Sequence, residues 1–280
     1  MNIRKFIHSY QRDQLIGFVN TLFGKFGIKF RFKNAIQKRI LYLTKRLKLQ
    51  SKNLVQSGAY KDMKIGDIAW SEYDYCPKII GVYENEVQNE LLKTNCKYIV
   101  NLGAGEGYHA IGQILSGTKE QAICFELSKT SRKFLNTNSK INNIENKIKI
   151  FEKANNNYLD YLQEKISDID FKECVFLIDI EGDEFNIINN KNLETLKESK
   201  LIIEFHEKDK SLNEENLRFI EMLKQFYDLN FLTTTERDFS KIDLLKDFID
   251  IDRWLMASEN RIRLMKWIVC VPKKRRNSNE

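Results

Sequence analysis

The 280-residue chain is poor in residue types that define whole classes of protein. It has only two prolines, Pro77 and Pro272, and three histidines, His8, His109 and His206. The five cysteines are scattered, without a C-x-x-C pair and without neighbouring histidines. This spacing excludes zinc modules and disulfide frameworks, and we expect reduced, mostly buried thiols.

Long uncharged stretches are also missing. The longest runs only from Gly107 to Thr118, whereas a membrane-spanning helix needs about 20 apolar residues. The first apolar stretch is interrupted at Arg12 and Asp13, which is too early for a signal peptide. With 42% hydrophobic and 30% charged residues, the chain is predicted to be a cytoplasmic globular protein.

The net charge of +7 is unevenly distributed. Residues 1–64 contain 15 Lys and Arg but only two acids, Asp13 and Asp62, and the rest of the chain is net negative. Apolar residues recur at helical spacing among these charges, at positions 3–23 and again at 36–47. The pattern predicts a basic arm of two amphipathic helices.

Such an arm has several interpretations. Through residues 1–52 it would dock on an anionic membrane surface or an acidic partner, or it would pack on the main domain or on a second subunit of a homo-oligomer. Binding to nucleic-acid phosphates is the least favoured, because the arm has no Arg/Gly-rich or aromatic-interleaved pattern. The sequence does not decide between membrane docking, an acidic partner, packing on the domain and a subunit contact.

From about residue 97 onward, short β-rich runs alternate with helical ones. The predicted strands are Tyr98–Leu102, Ala122–Glu126, Lys147–Phe151, Cys174–Ile180, Leu201–His206, Leu229–Leu232 and Trp267–Val271. The predicted helices cover 108–116, 128–140, 157–166, 184–197 and 212–227. Consecutive βα steps with apolar strands indicate a parallel sheet covered on both faces, and therefore a doubly wound α/β fold. We assign residues 65–272 to this domain and 273–280 to a disordered basic tail.

The first strand is followed by a turn that contains Gly103, Gly105 and Gly107. A dinucleotide fingerprint would place its third glycine at position 108, which is Tyr108. The observed G-x-G-x-G spacing is that of an S-adenosylmethionine (SAM) loop, where no pyrophosphate has to be bound. A nicotinamide-dependent oxidoreductase is therefore disfavoured.

Residues after the next two strands fit the same ligand. Glu126 ends the second strand, where a carboxylate can accept hydrogen bonds from both ribose hydroxyls. Ala154 and Asn155 follow the third strand, where adenine would lie. A plain Asn-rich turn through residues 155–157 explains Asn155 equally well.

The fourth and fifth strands end in acids and a histidine. The period of two places Asp179 and Glu181 on one side of the fourth strand, and Glu204 and His206 repeat the alternation on the fifth. Ligands of open α/β sheets bind at this edge. We interpret His206 as a general base, or failing that Asp179, with Glu181 and Glu204 orienting acceptor hydroxyls or the imidazole.

Two further interpretations concern neighbouring groups. Asp179, Glu181 and Glu204 could hold a divalent ion, which is the less favoured reading of these acids. Glu184 is interpreted first as an acid at the start of a helix. The segment at 236–256, with Arg237, Arg253 and Trp254, is where acceptor contacts are expected, although its arginines are more readily explained by exposed ion pairs.

Three motifs resemble the FkbM-type branch of class I SAM-dependent methyltransferases: Asn101-Leu-Gly-Ala-Gly-Glu-Gly-Tyr108, Asp179-Ile-Glu-Gly-Asp-Glu184 and Ile203-Glu-Phe-His206. Gly81-Val-Tyr83-Glu84 and Met265–Pro272 are also similar, so the resemblance covers roughly residues 79–272. It implies a seven-stranded, mostly parallel sheet in the order 3-2-1-4-5-7-6 with a reversed last strand. It also implies that SAM is the cofactor, bound by Tyr83, Glu84, Asn101, Gly103, Ala104, Gly105, Gly107, Tyr108, Glu126, Asn155 and Asp179.

The resemblance further implies O-methylation, commonly of sugars or secondary metabolites. Base methylation is disfavoured, because the chain lacks the Asn/Asp-Pro-Pro-aromatic or Pro-Cys segments that such enzymes place after the fourth strand. We predict O-methylation of a sugar, glycan or lipid-linked saccharide, with the arm docked at the inner face of a bacterial membrane. Two different functions stay open: methylation of a secondary metabolite, or a non-catalytic binding protein that keeps the SAM fold and acts through its arm.

Overall fold

The computed structural model describes residues 35–66, 68, 73–207, 213–261 and 264–273. The first predicted arm helix, His8 and the tail after residue 273 lie outside these ranges. The helices are α1 (Ala35–Ser51), α2 (Tyr75–Ile80), α3 (Asn85–Leu92), α4 (Tyr108–Leu115), α5 (Lys129–Ile141), α6 (Tyr158–Lys165), α7 (Glu184–Ile187), α8 (Asn190–Leu196), α9 (Asn213–Phe226) and α10 (Asp250–Ala257). The strands are β1 (Tyr98–Leu102), β2 (Gln121–Phe125), β3 (Ile148–Phe151), β4 (Cys174–Ile178), β5 (Lys200–Glu204), β6 (Tyr227–Thr233) and β7 (Lys266–Pro272).

The strands form one seven-stranded sheet in the order β3-β2-β1-β4-β5-β7-β6. Strands β1 to β5 are parallel, whereas β7 is antiparallel to both β5 and β6. The predicted doubly wound fold, the strand order and the reversed last strand are confirmed.

The register of the central strands aligns their carboxyl ends. Leu102 is paired with Phe125 on one side and with Ile178 on the other, and Ile178 is paired with Ile203. The next residue of each strand therefore lies at the same edge of the sheet. These four residues are Gly103, Glu126, Asp179 and Glu204.

Alternate residues of the strands enter two cores, one on each face of the sheet. In β4, Val175 and Leu177 belong to a core shared with α1, α2, α4 and α10, whereas Phe176 and Ile178 belong to a core shared with α6, α8 and α9. All five cysteines are buried and unpaired, as predicted. Within the described residues, none of the helices combines the length and apolar character that a bilayer crossing requires.

Helix α1 and the segment after it pack on the main domain. Leu43 and Leu47 lie in the first core, and Lys38 is exposed on the outside of the helix. Tyr60 packs on α4 at Gly112, where an added Cβ would lie 2.3 Å from the tyrosine ring. The described half of the arm thus shares a core with the sheet, while the domain boundary at residue 64 stays a prediction.

Several predicted element ends were wrong. Strand β4 ends at Ile178 rather than Ile180, because the chain turns through Glu181 and Gly182, both with positive φ. Strand β5 ends at Glu204 rather than His206. The helix predicted at 184–197 is two helices, since the Asn189 side chain accepts from the amide of Asn192 and starts α8. Strand β6 is longer than predicted because it pairs with β7 along its whole length.

Candidate functional site

Two cavities open at the carboxyl edge of the sheet and share a wall. The larger has a volume of about 230 Å³ and the smaller about 130 Å³, and Gly103, Asp179 and Glu181 line both. The larger continues toward α2 and α4, and the smaller reaches Glu126 and Ala154. An elongated ligand could therefore occupy both cavities by bending around Gly103.

Gly103 makes this bend possible. Its φ is +84°, and an added Cβ would lie 1.6 Å from the carbonyl oxygen of Asp179. The amides of Gly103 and Ala104 both donate to the carbonyl oxygen of Phe125, at 2.8 and 3.0 Å. The ends of β1, β2 and β4 are therefore held together at a point where any side chain would collide with the backbone.

Glu126 lines the smaller cavity, where it was predicted to bind ribose. Its two carboxylate oxygens accept from the amides of Gly105 at 2.8 Å and Ser128 at 2.6 Å. These bonds connect the glycine turn to the start of α5 and orient the carboxylate. Each oxygen keeps a second lone pair, so the group can still accept from a ligand hydroxyl.

Asn155 lies away from both cavities. It lines a separate depression beside α6, and its side-chain oxygen accepts from the amide of Asn157 at 2.9 Å. This is the geometry of the Asn-rich turn. Ala154, its neighbour, does line the smaller cavity.

Six of the remaining residues predicted to bind SAM line the larger cavity. They are Tyr83, Glu84, Asn101, Ala104, Gly105 and Tyr108. Among the described residues, the side-chain oxygen Oδ1 of Asn101 is buried and has no hydrogen-bond partner, and the same is true of Oδ1 of Asp179. Two acceptors therefore lie at the cavity wall without a donor from the described chain. Gly107, the last glycine of the turn, was also predicted to bind SAM, but it lines neither cavity and directly precedes α4.

Glu84 is held as a buried anion. The Nε2–H of His109 donates to it over 2.7 Å, and the guanidinium of Arg261 is also hydrogen-bonded to it. Burial opposes ionisation, but these two partners outweigh it and lower the pKa of Glu84 to about 2. His109 in turn accepts from the hydroxyl of Tyr60 at 3.1 Å. Glu84 itself adopts a left-handed φ of +46°, a strained conformation of the kind found at functional sites.

The lining of the larger cavity is acidic. Among the described residues it has six acids, namely Asp74, Glu84, Glu106, Asp179, Glu181 and Glu259, against three basic residues, Lys78, His109 and Arg261. Lys78 is almost fully buried and ion-paired with Glu106. The excess of carboxylates favours a cationic ligand and disfavours a pyrophosphate.

Asp179 and Glu204 form an acidic pair behind this cavity. Burial and the nearby Glu204 carboxylate raise the pKa of Asp179 well above its usual value. Burial likewise raises the pKa of Glu204 to about 7, although the hydrogen bond with Asp179 and the charge of Arg261 oppose the shift. Two carboxylates in contact cannot both ionise cheaply, so the pair retains a proton near neutral pH.

His206 lies beside this pair, in the cluster that the sequence predicted. Its Nε2 is 3.6 Å from Glu181 and 3.9 Å from Glu204, and its Nδ1 is 3.0 Å from Oε1 of the buried Glu184. Because a carboxylate only accepts, the neutral form of the imidazole carries its proton on Nδ1 and has a free lone pair on Nε2. Glu184, first interpreted as an acid at a helix start, is thus the group that orients the imidazole.

Arg261 was missed by sequence reasoning. It ion-pairs with Glu84, with Glu204 at 2.5 Å and with Glu259 at 3.1 Å, and so connects three parts of the chain at the cavity wall. Arg261 lies in the segment before β7, and the sequence there contains no motif that marks it as a site residue. The two arginines of the 236–256 segment, for which ion pairs were the favoured interpretation, both make contacts within the chain. Arg237 is ion-paired with Glu86 and Glu259, and Arg253 donates to the backbone carbonyls of Leu245 and Lys246.

The grouping of metal-ligand atoms differs from the one considered in the sequence. Candidate atoms of Asp179, Glu181 and His206 lie within 4.8 Å of one another. Glu204 is instead ion-paired with Arg261. Exposed acidic groups commonly cluster in this way without a metal, so the geometry adds no support for a bound ion.

No protein-family model matches the chain. No curated protein matches its sequence either. The narrower FkbM-type resemblance therefore stays a prediction.

Several solved structures resemble the fold. An O-methyltransferase from Bacillus cereus in complex with SAH is 13% identical and has a TM-score of 0.43, with 91% of this chain and 97% of that chain covered. A precorrin-6y C5,15-methyltransferase from Geobacter metallireducens is 11% identical with a TM-score of 0.42, covering 70% and 90%. A precorrin 8W decarboxylase from Methanobacterium thermoautotrophicum is 14% identical with a TM-score of 0.42, covering 68% and 90%.

The class of the fold is defined by the sheet itself, with its strand order and its single reversed strand. The chain has the Rossmann-like fold of class I methyltransferases, with an acid-lined double cavity at the edge where such sheets bind ligands.

Proposed function

We propose that the protein is a SAM-dependent methyltransferase that methylates a hydroxyl group of a sugar, a glycan or a lipid-linked saccharide. The observation that carries the proposal is the double cavity bent at Gly103, with Glu126 at one end and an excess of carboxylates at the other. The fold supports the reaction type, methyl transfer. The hydroxyl acceptor is the more specific part of the proposal.

The residues present fit SAM. Glu126 would accept from the ribose hydroxyls in the smaller cavity. The unpartnered Oδ1 atoms of Asn101 and Asp179 would accept from the ligand's donors in the larger one. The acidic lining of the larger cavity suits the sulfonium and ammonium groups of SAM.

When bound, SAM supplies an electrophilic methyl group: the acceptor oxygen forms a bond to the methyl carbon while the carbon–sulfur bond breaks and its electron pair stays on sulfur. The acceptor hydroxyl proton must leave in the same reaction. Nε2 of His206 takes this proton. The Nδ1–H of the same imidazole donates to Glu184, which keeps the ring in place. Glu181 has a left-handed backbone conformation, and its side chain is largely exposed at the cavity mouth. Its carboxylate accepts hydrogen bonds from hydroxyl groups of the methyl acceptor and so orients the substrate.

Calorimetric titration of the full chain with SAM, and separately with NAD, tests the proposal. SAM is expected to bind and NAD is not. Glu126→Gln should weaken SAM binding by about 10–100-fold, because hydrogen bonds to a charged group are each worth about 1.5–3 kcal/mol. Its effect on turnover at saturating SAM should be much smaller.

The matched control is Glu120→Gln, an exposed glutamate just before the opposite end of β2. It should bind SAM like the wild type. Tight binding of NAD without binding of SAM would reject the proposal. SAM binding without transfer to any hydroxyl acceptor would favour a non-catalytic protein that keeps the fold.

The proposal includes docking of the basic arm on an anionic membrane surface. The outer face of α1 exposes Lys38, Lys45 and Lys48 together with Tyr42 and Leu49. Lysines mixed with an exposed aromatic and an exposed leucine are typical of helices that lie at a lipid interface. The buried side of the helix is already occupied by the core, so the basic face is the one available.

Reversing the charge of Lys38 and Lys45 together to Glu should weaken binding to phosphatidylglycerol vesicles about tenfold or more, since each basic residue near an anionic surface contributes about 1 kcal/mol. Co-sedimentation measures this. Lys133→Glu with Lys140→Glu is the control, because these lysines are also exposed and seven residues apart on a helix, α5. Unchanged vesicle binding with a shift from dimer to monomer would favour a subunit contact instead.

A further inference from the structure

A third cavity, of about 520 Å³, lies next to the cavity of about 230 Å³ described above as the larger of the first two. It is bounded by α10 and by the chain that follows β6, and it shares Glu259, Asn260 and Arg261 with the larger cavity. A ligand in this third cavity is therefore separated from the proposed methyl-transfer site by one short segment. Its lining also includes Trp254 and Leu264.

Trp254 contributes a flat, apolar indole ring to the lining of this third cavity. The residue is 53% exposed although it lines a cavity, and its ring meets that of Phe239 edge-to-face, with the centroids 4.9 Å apart and the planes at 74°. This contact fixes the orientation of the indole while leaving part of it uncovered. Leu264 is 90% exposed in the same cavity. Exposed apolar side chains that converge in a concavity indicate a ligand with an apolar face.

Polar groups lie beside this indole ring. Thr234, Ser258 and Asn260 also line the cavity. Hydroxyl and amide groups next to an aromatic ring match a sugar, which has an apolar C–H face and a rim of hydroxyls.

The charges of the cavity point to an uncharged ligand. Arg237, whose side chain is only 6% exposed, is neutralised by Glu86 and Glu259. Arg261 is neutralised by three carboxylates. The described residues of the cavity therefore offer no uncompensated cation for a phosphate or carboxylate, and a charged acceptor would be disfavoured.

We propose that this third cavity is the acceptor subsite and that it binds an uncharged sugar unit, with Trp254 against the C–H face of the ring. The inference rests on the proposed methyltransferase function, because it names the substrate class of that same reaction. It narrows the acceptor to neutral saccharides and excludes sugar phosphates and uronates from this subsite.

The test uses the full chain and a defined panel of probes. Methyl glycosides of glucose, galactose, mannose, rhamnose and N-acetylglucosamine are compared with glucose 6-phosphate and glucuronate, by saturation-transfer NMR with and without SAH. At least one neutral glycoside should bind through its ring C–H protons, and the anionic probes should bind about tenfold more weakly or worse. Trp254→Ala should lower glycoside affinity about tenfold or more, and Trp254→Phe should retain most of it.

Ile251→Ala is the matched control, since Ile251 is an exposed apolar residue of the same helix and does not line the cavity. Glycoside and SAM affinities should both be unchanged in it. Equal binding of the anionic probes, wild-type affinity in Trp254→Ala, or no glycoside binding by a protein that binds SAM would each overturn the subsite. Trp254-dependent glycoside binding by a protein that does not bind SAM would support the subsite and refute the proposed function.

Discussion

His206→Gln is expected to lower kcat by about 10²–10⁴-fold, the usual contribution of a general base, without a change in SAM affinity. Glutamine can still donate to Glu184, so the loop geometry is retained, but it cannot take the acceptor proton. Methyl transfer to the best neutral glycoside measures kcat, and calorimetry measures SAM affinity. A loss confined to kcat identifies a group that acts in the transition state.

The pH dependence gives this prediction a second readout. Burial lowers the pKa of His206, but the hydrogen bond with Glu184 and the charges of Glu184, Asp179 and Glu181 outweigh it, so the net pKa is raised. A base works only when deprotonated, so kcat should increase as pH increases through this raised pKa. Glu184→Gln removes the largest favourable interaction of the imidazolium, and the rising limb should therefore move to lower pH. Glu204 also faces Nε2, and its own pKa is raised to about 7. The difference between the pH profiles of the variant and the wild type is therefore the informative quantity.

Glu207→Gln controls for changes in the loop. Glu207 is the next residue, is partly exposed and forms an ion pair with Lys266 rather than with the cluster. Its variant should retain the wild-type kcat and pH profile. If His206→Gln also retained both, His206 would have no part in proton transfer and Asp179 would become the base to test.

The site residues that could be predicted from the sequence are those that directly follow a strand. Parallel strands in register bring the residues after them to one edge, so runs of apolar residues ending in Gly103, Glu126 and Asp179 were sufficient to place these three together. The assumption that Asp179 and Glu181 share a side of β4 by strand alternation was wrong, because the strand has already ended. Both residues still line the cavities, since the left-handed turn at Glu181 returns the chain to them.

The rest depends on long-range packing that a single sequence does not encode locally. Arg261 precedes β7 in a segment without a motif, and only the reversed strand brings it to Glu84. Glu184 and His206 come from different strand ends and meet because β4 and β5 are neighbours. The apolar stripe of α1 predicts a buried face but not the surface that buries it, and here that surface includes α2 and α10.

Gly103→Ala should destabilise the protein and abolish SAM binding. A side chain at φ +84° costs about 1–2 kcal/mol, and overpacking against the Asp179 carbonyl, 1.6 Å from the new Cβ, adds about 1–3 kcal/mol. We therefore expect the free energy of unfolding to decrease by about 2–5 kcal/mol in urea titrations. The same collision pushes β1 from β4, and this separates the two cavities that SAM would bridge.

Gly117→Ala separates the two causes. Gly117 also has a positive φ, +73°, but an added Cβ there would have no atom within 4 Å. This variant should therefore lose only the backbone contribution of about 1–2 kcal/mol and should bind SAM normally. The difference between the two variants measures the cost of the contact between Gly103 and Asp179. If Gly103→Ala were as stable as Gly117→Ala and bound SAM equally well, the bend at Gly103 could not be what shapes the cofactor site.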